Sequence, residues 1–560
     1  MILAIVLSAI VLLGWSFVTE RWFPANPPST KVVNGKSVPV AKPEAVPAAQ
    51  KPAAVRERKA VLGESPRVAI RTPRLAGSIN LKGPRIDDLV LTTHLETIQK
   101  GSPPVRLLSP AGTPGAYFAS FGWTGDAGAT PPADAVWTPD RAELTPQTPV
   151  TLSAQGPNGV RYQIRIAVDD GYMFTVNQSV GNASAAAIAA HPYALVSRAE
   201  ASKDPTSWTN HVGPVGVFDG SANYKWNYDK LKKEGDQRFS TTGGWVGFAD
   251  KYWLTALVPD QGVPAEAAFR HGTSGAFQVD FAPAPTIVPP GKPASYQTRF
   301  FAGAKEIELL DRYEGAGVTK FDKAIDWGWF EWFMKPIFSL LRWLYKTIGN
   351  FGVAIMCLTL IVRTLMFPIA QKQFKSMAAM RVLQPKMKAL QERHKEDKPR
   401  LQQEMLKLYQ EEKVNPMAGC LPILIQIPIF YALYKTLMVS VEMRHKPFAL
   451  WIQDLSAPDP LTPVNLFGYL PFTPPHMLAL GVLPILLGIS MWLQFKLNPP
   501  ATDPVQRQMF AIMPWVLMFV MAPFAAGLQL YWTVNNVLTI LQQKWLYSRY
   551  PGMKAVPEAT

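Results

Sequence analysis

The sequence predicts a polytopic α-helical membrane protein that carries a large all-β sandwich outside the bilayer. Three observations lead there. Apolar residues are pooled into one run at the start of the chain and several after residue 348, a central stretch alternates apolar and polar residues with a period of two, and one loop between apolar runs is strongly basic. The chain has 560 residues, 48% of them apolar, and a formal charge of +15 from 56 Lys and Arg against 41 Asp and Glu. At roughly 100 to 200 residues per domain it has several parts. Runs long enough to cross a bilayer exclude a purely soluble enzyme, and two cysteines exclude a disulfide scaffold. In a membrane protein the basic excess reads first as topology and only then as nucleic-acid affinity.

A membrane helix needs about 20 mostly apolar residues to cross roughly 30 Å of hydrocarbon. The first candidate, Ile2 to about Phe17, ends in Trp15, Trp22 and Phe23 as interfacial aromatics, and no A-x-A-like cleavage site precedes Arg21 and Pro24. Residues 1–23 therefore read as a retained anchor and not as a signal peptide. The second span covers 349–370, the third 417–440 and the fourth 476–497. The stretch from Met509 to Leu546 would be about 57 Å long as one helix, nearly twice the hydrocarbon thickness. It must fold back, and Ala522, Pro523, Phe524 and Gly527 supply the corner. Residues 417–546 thus hold the third to sixth of six transmembrane helices, the last five forming a core.

The loops set orientation. Residues 371–416 carry eleven Lys or Arg against six Asp or Glu, whereas residues 441–475 carry two against three. The positive-inside rule places the first loop in the cytoplasm and the second outside. Alternation then puts residues 24–348 outside and both termini, including the tail 547–560, in the cytoplasm.

Outside the membrane, seven prolines among Ala, Lys and Val make residues 24–60 an extended linker. Residues 61–318 read as one antiparallel sandwich. Val160, Tyr162, Ile164, Ile166 and Val168 alternate with Arg161, Gln163, Arg165 and Ala167, a half-buried strand, and similar segments recur at 173–180, 245–258 and 296–302. His191, His211 and His271 stand alone and read as ordinary strand or surface residues. Residues 319–348 differ in kind: Trp327, Phe330, Met334, Phe338, Leu341 and Tyr345 recur at helical spacing with Lys335, Arg342 and Lys346 between them. This suits an amphipathic helix on the outer membrane surface, with packing on the sandwich as the alternative and Pro336 as an interruption of either.

The functional signal lies where polarity is costly. Arg363, within Thr359-Leu-Ile-Val-Arg363-Thr364, is the one ionisable residue well inside a span, and such residues face a cavity or a partner. No Asp or Glu lies at comparable depth, so the arginine is expected to be solvated. Counting 1.5 Å per residue from the cytoplasmic ends puts Arg363, Gln426 and Asn536 each about 12 Å deep. Thr359 is one turn deeper on the arginine's face, and Tyr531 and Asn535 share a face of the sixth span. Three helices thus present polar groups at one level, which reads as a water-filled pocket open to the cytoplasm, or as interhelical glue. Cys357 and Cys420 differ too much in depth to pair.

The cytoplasmic loop 371–416 reads as a helical hairpin, with Asp397 capping and Pro399 opening its second helix. Met377, Met380 and Met387 line the first helix and Met405 the second. This is either a short coiled coil or an adaptable landing surface for varied apolar partners, whose basic face suits anionic lipid or ribosomal RNA without sequence specificity.

Four stretches carry a resemblance: Ile361-Val-Arg-Thr-Leu-Met-Phe-Pro368, Val382-Leu-Gln-Pro-Lys386, Lys413-Val-Asn-Pro with Gly419-Cys-Leu-Pro-Ile-Leu-Ile-Gln-Ile-Pro428, and Phe448-Ala-Leu-Trp-Ile-Gln-Asp-Leu-Ser456. They resemble the YidC family of bacterial membrane protein insertases, in its Gram-negative form with a large periplasmic domain. The resemblance runs along the whole chain and is most specific over residues 320–550. It implies an inner-membrane insertase and chaperone, not an enzyme and without a cofactor. Such a protein moves short hydrophilic segments of nascent membrane proteins across the bilayer, alone or with the Sec translocon and its accessory subunits, and meets ribosomes and membrane lipids. It also implies that Arg363 is the groove arginine, that Thr359 and Gln426 line the groove, and that Tyr531 and Trp532 contact the incoming span. The competing class is a secondary transporter or channel for a small polar solute. Against it stand the absence of Asp, Glu or His in the core spans and of inverted repeats.

Overall fold

The computed structural model describes residues 31–33, 36–38, 55–125, 130–132, 134–204, 210–272, 274–328, 330–394, 397–412, 421–470, 472, 480–497 and 504–549. The expected first span, 1–23, lies outside the described residues, as does most of the linker. Within the linker, Lys31–Val33 pairs with Lys36–Val38 in a short antiparallel hairpin, Lys31 opposite Val38, where an extended chain was expected. The sequence held the reason, since Asn34-Gly35 between valine-containing triplets is a strong two-residue hairpin signal.

Strands from Arg67–Arg71 through Pro293–Ala304 build two large sheets, one of nine strands and one of eleven. Pairing is antiparallel almost throughout, the exception being Arg67–Arg71, which runs parallel to Glu143–Leu144. The strand Arg161–Val168 shows how sequence sets register. Tyr162, Ile164, Ile166 and Val168 are buried while Arg161 and Arg165 are exposed, and Ile164 sits opposite Gln178. A one-residue slip would put all four apolar side chains in water. The strand Met173–Gly181 pairs in turn with Pro293–Ala304, remote in sequence.

Among the described residues the α-helices are α1 (Arg58–Leu62), α2 (Tyr228–Glu234), α3 (Ile307–Gly315), α4 (Glu331–Ile348), α5 (Phe351–Leu365), α6 (Phe367–Arg393), α7 (Lys398–Glu411), α8 (Leu421–Val439), α9 (Val482–Leu497), α10 (Pro504–Met521) and α11 (Ala526–Arg549). Among the described residues no helix is long and apolar enough to cross a membrane by itself. The expected second span is divided at Met366, which ends α5 and starts α6 with Pro368 in the new first turn.

Helix α4 continues through Pro336 where an interruption was expected. The proline removes only the hydrogen bond to the Trp332 carbonyl, and it does so beside a residue that is 71% exposed. The helix packs on the sandwich and on the helical core together, as the alternative reading expected. Met334 and Phe338 join the sandwich core, Leu341 and Leu344 join the helical core, and Trp332 and Trp343 stay exposed. Gly349, at φ +80°, ends α4 in the left-handed region, and the Asn350 side chain accepts from the Val353 N–H at 3.1 Å to start α5.

Two polar clamps tie the sandwich to the helical core beside α4. Glu442 accepts from the Ile307 N–H at 3.1 Å, and the Arg444 guanidinium donates to the carbonyls of Leu95 at 2.7 Å and Glu96 at 3.0 Å. At the α10–α11 corner, Nε2 of buried Gln529 donates to the carbonyls of Met521 (2.8 Å), Ala522 (3.2 Å) and Phe524 (2.9 Å), groups that end a helix unpaired.

Candidate functional site

Arg363 lies near the end of α5, facing α11. Its Nε donates to Asn535 Oδ1 at 2.8 Å, and Nη2 donates to the Asn535 carbonyl at 3.3 Å and to Thr539 Oγ1. Thr539 in turn donates to the Asn535 carbonyl at 2.6 Å. Asn535 and Thr539 are four residues apart, so one face of α11 grips the guanidinium. The arginine is thus bonded to protein oxygens and not simply solvated, which corrects the expectation from sequence. Its partners are neutral, however, and no carboxylate among the described residues reaches it. Nη1 makes no hydrogen bond to a described residue, and the side chain is only half-buried.

Gln426 on α8 donates from Nε2 to the hydroxyl of Tyr531, which is 1% exposed. Helix α11 thus bonds to α8 through Tyr531 and to α5 through Asn535 and Thr539, all on one stripe. Trp532 is half-buried against Phe430, ring centroids 4.8 Å apart, and Tyr434 continues the aromatic line to Phe524 at 5.6 Å. The local reason is the sequence of α11: Tyr531, Asn535 and Thr539 recur every four residues, and an otherwise apolar helix puts them on one stripe.

Two expected members of the ring point elsewhere. Thr359 is buried and donates to the Ile355 carbonyl of its own helix at 2.7 Å, leaving its proton unavailable to a ligand. Asn536 donates to Ser490 Oγ on α9 at 3.1 Å. Neighbouring helical residues are about 100° apart, so Asn536 faces away from the stripe that holds Asn535. Asn536 is glue between helices, while Asn535 belongs to the arginine.

In the hairpin of α6 and α7, Met387 is 3% exposed, with Sδ 4.0 Å from the Tyr409 hydroxyl, so it packs inside the hairpin instead of presenting a landing surface. Met405 is half-buried. Met377 and Met380 lie on α6, but their side chains fall outside the described residues. Asp397 caps α7 by accepting from the Arg400 N–H at 3.1 Å. Cys357 is half-buried, and Cys420 lies outside the described residues.

Sequence reasoning missed Thr539 and Ser490, the second halves of the two polar contacts. It also missed Lys435, 1% exposed near the C-terminal end of α8. The signal for Thr539 was its four-residue spacing from Asn535; that for Lys435 was a charge in an apolar run. Among the described residues no group of three or more His, Cys, Asp or Glu is arranged to hold a metal ion.

The sequence and this geometry can be set beside known proteins. The family model "60Kd inner membrane protein" matches residues 343–554, and "YidC periplasmic domain" matches residues 67–340. A membrane protein insertase YidC of Zymomonas mobilis is 49% identical over 98% of this chain and 95% of its own length. One from Beijerinckia indica is 43% identical over 98% and 95%. A crystal structure of an active YidC insertase with its first transmembrane domain resolved covers 89% of this chain and 94% of its own, at 18% identity and a TM-score of 0.36. The two family models meet at the end of α4, where the sandwich gives way to the helices that surround Arg363, and with near-half identity over almost the full length the chain belongs to the YidC family of membrane protein insertases.

Proposed function

We propose that this chain inserts nascent membrane proteins into the bacterial inner membrane through the polar space between α5, α8 and α11, with the sandwich on the periplasmic side. The observation that carries the reading is how Arg363 is held. Asn535 and Thr539 fix the guanidinium without neutralising it, and Nη1 remains available. A cation positioned by neutral oxygens keeps its full charge for an incoming carboxylate, whereas one paired to Asp or Glu would first have to exchange partners. The substrate's hydrophilic segment is then hydrated in part by Arg363 and Gln426, while its apolar span slides past Trp532 and Phe430 into lipid, driven by apolar burial.

A membrane setting for the helices finds support in their outward faces. Leu360, Ile489, Trp492, Ile512, Phe519 and Leu541 are all exposed, each between 42% and 57%. So broad an apolar perimeter suits lipid and not water. We read α5, α8, α9, α10 and α11 as five spans that, with the segment 1–23, make six, and place both termini in the cytoplasm. Helix α5 would be only about 22 Å long at 1.5 Å per residue, shorter than the roughly 30 Å of hydrocarbon, so the bilayer thins beside the groove and the crossing distance falls. Cooperation with the Sec translocon and contact between the basic hairpin and ribosomes belong to the same reading. So does the absence of covalent catalysis. The transporter reading is set aside, because the relatives that match over the full chain are insertases.

The test is a photo-crosslinker at Gln426, presented with ribosomes stalled on a short membrane protein bearing an acidic N-terminal tail. The expected result is a crosslink to the nascent chain that disappears when its apolar span is made polar. Arg363→Ala should lower insertion of acidic-tailed substrates about tenfold or more, the equivalent of one charge-assisted hydrogen bond, and should leave neutral-tailed substrates less affected. Unchanged insertion of every acidic-tailed substrate would remove the arginine from the mechanism.

A further inference from the structure

The loop between Asp459 and α9 has no place in the mechanism above, and its surface is unusual. Val464, Leu466, Phe467, Tyr469, Leu470 and Phe472 are all exposed, from 40% for Leu470 to 88% for Tyr469. Leu466 (φ +49°) and Phe467 (φ +59°) are consecutive non-glycine residues in the left-handed region, where a Cβ crowds the following carbonyl. The fold therefore accepts steric cost in order to turn apolar side chains outward, the reverse of what water favours.

Three of the loop's backbone N–H groups are paired within the loop. The Phe467 N–H donates to the Thr462 carbonyl at 2.9 Å, the Leu470 N–H to the Asn465 carbonyl at 3.0 Å and the Tyr469 N–H to the Leu466 carbonyl at 3.2 Å. Internal pairing of this kind is the condition for backbone to enter an apolar phase. No Asp, Glu, Lys or Arg occurs between Asp459 and Lys496, so the loop offers nothing to pair with a charged protein surface. Its base is fixed to the helical core: buried Asp459 accepts from the Leu483 N–H at 2.7 Å, at the start of α9, and from Trp451 Nε1 at 2.9 Å. The Ala526 N–H donates to the Ala457 carbonyl at 2.7 Å, at the start of α11. The apolar tip thus continues directly from helices whose flanks carry exposed apolar side chains.

We propose that the loop from Leu461 to Leu470, with Phe472, seats its apolar tip in the outer leaflet of the bilayer, a lipid anchor at the periplasmic mouth of α9 and α11. The strained turn at Leu466 and Phe467 aims the tip, and Tyr469 takes the headgroup level that amphipathic aromatic rings favour. The inference rests on the membrane reading of the core helices, and its test separates the two.

The full chain carrying Cys357→Ser and Cys420→Ser is labelled with an environment-sensitive fluorophore at Tyr469→Cys, or in a second preparation at Ile512→Cys on α10, and reconstituted into phosphatidylethanolamine–phosphatidylglycerol vesicles. A label at 469 with blue-shifted emission, quenched by nitroxide lipids labelled near the headgroup and not by iodide on either side, is the expected result. Water-like emission quenched by iodide at 469, with lipid quenching retained at 512, overturns the anchor alone. A blue shift that ignores nitroxide lipid and grows with protein density means a second copy covers the loop, and overturns it too. Loss of lipid quenching at 512 overturns the membrane reading, and the anchor with it.

Discussion

Lys305 closes the last strand of the sandwich and is 2% exposed, so its ammonium has exchanged water for protein. Burial pushes its pKa down to about 8, against the pull of Asp250, Asp204 and Asp326, and Lys435 adds repulsion. The folded state therefore binds the proton less tightly than the unfolded chain, whose lysine keeps its ordinary value of 10.5. Stability is lowest below pH 8 and rises as pH climbs from about 8 towards 10.5. Lys305→Met should stabilise the protein at pH 7 by at most about 3 kcal/mol at 1.4 kcal/mol per pKa unit, with the gain shrinking above pH 8. Thermal unfolding at pH 7 and pH 10 checks both parts, and a variant less stable at pH 7 would mean the ammonium is well solvated. Glu306 next door shows the opposite sign. Burial works against its charge, but the nearby His94 ring, with Nε2 3.6 Å away, and hydrogen bonds from Arg74 and Tyr172 outweigh it and hold the carboxyl down to about 2. Its contribution is present above the usual 4.5 and is lost as pH falls towards 2. None of this was legible in the sequence, where Lys305 and Glu306 are two charges after a strand, because burial is set by elements that arrive from Asp204, Asp250 and Asp326.

At the scale of elements, the α10–α11 corner depends on one side chain. Gln529 satisfies three carbonyls with a single amide group, and its Oε1 is buried without a partner. Gln529→Met keeps the volume and removes the donors, and should cost about 2 kcal/mol or more, since buried carbonyls left unpaired lose roughly 1–3 kcal/mol each. A fall in the unfolding temperature of the purified protein in detergent is the readout; an unchanged value would mean water reaches the corner. The corner itself was readable, because the mostly apolar stretch Met509–Leu546 is too long for one bilayer-length helix and Pro523 with Gly527 marks the break. The strand Arg161–Val168 was readable for a similar reason, one face being buried and the other wet. The order of the sheets was not, since Met173–Gly181 finds its partner in Pro293–Ala304 and no local pattern encodes a pairing across that distance. The candidate site divides along the same line. Depth counting set Arg363, Gln426 and Asn536 at one level, but direction depends on which helix packs where. Asn535 therefore turns to the arginine while Asn536 turns to Ser490.

For the molecule as a whole, the question is whether sandwich and helices move as one body. Apolar continuity argues for it: Met334 and Phe338 of α4, with Ala432 and Val439 of α8, belong to the sandwich core, so that core extends into the helices. Arg444 adds a directional clamp. It donates two hydrogen bonds to the carbonyls of Leu95 and Glu96 and lies 5.4 Å from the Trp253 ring centroid and 5.9 Å from that of Tyr252. Glu442, whose pKa burial pushes up, accepts from the Ile307 N–H and the Ser440 hydroxyl but sits beside the like charge of Glu306. Because its folded-state pKa is raised, this group's contribution weakens as pH rises beyond the usual 4.5, leaving Arg444 as the dominant polar tie near neutrality. Arg444→Ala should leave the unfolding temperature of the sandwich unchanged, because none of its buried strands loses an apolar contact. Amide exchange at Leu95, Glu96 and the Tyr252–Trp253 turn should rise about tenfold, which corresponds to roughly 1.4 kcal/mol of lost local stability. Hydrogen-exchange mass spectrometry of the full chain in nanodiscs reads this directly. Faster exchange confined to those segments means that Arg444 sets the angle at which the sandwich stands against the helical core. Exchange that stays the same means the apolar seam along α4 and α8 fixes that angle by itself.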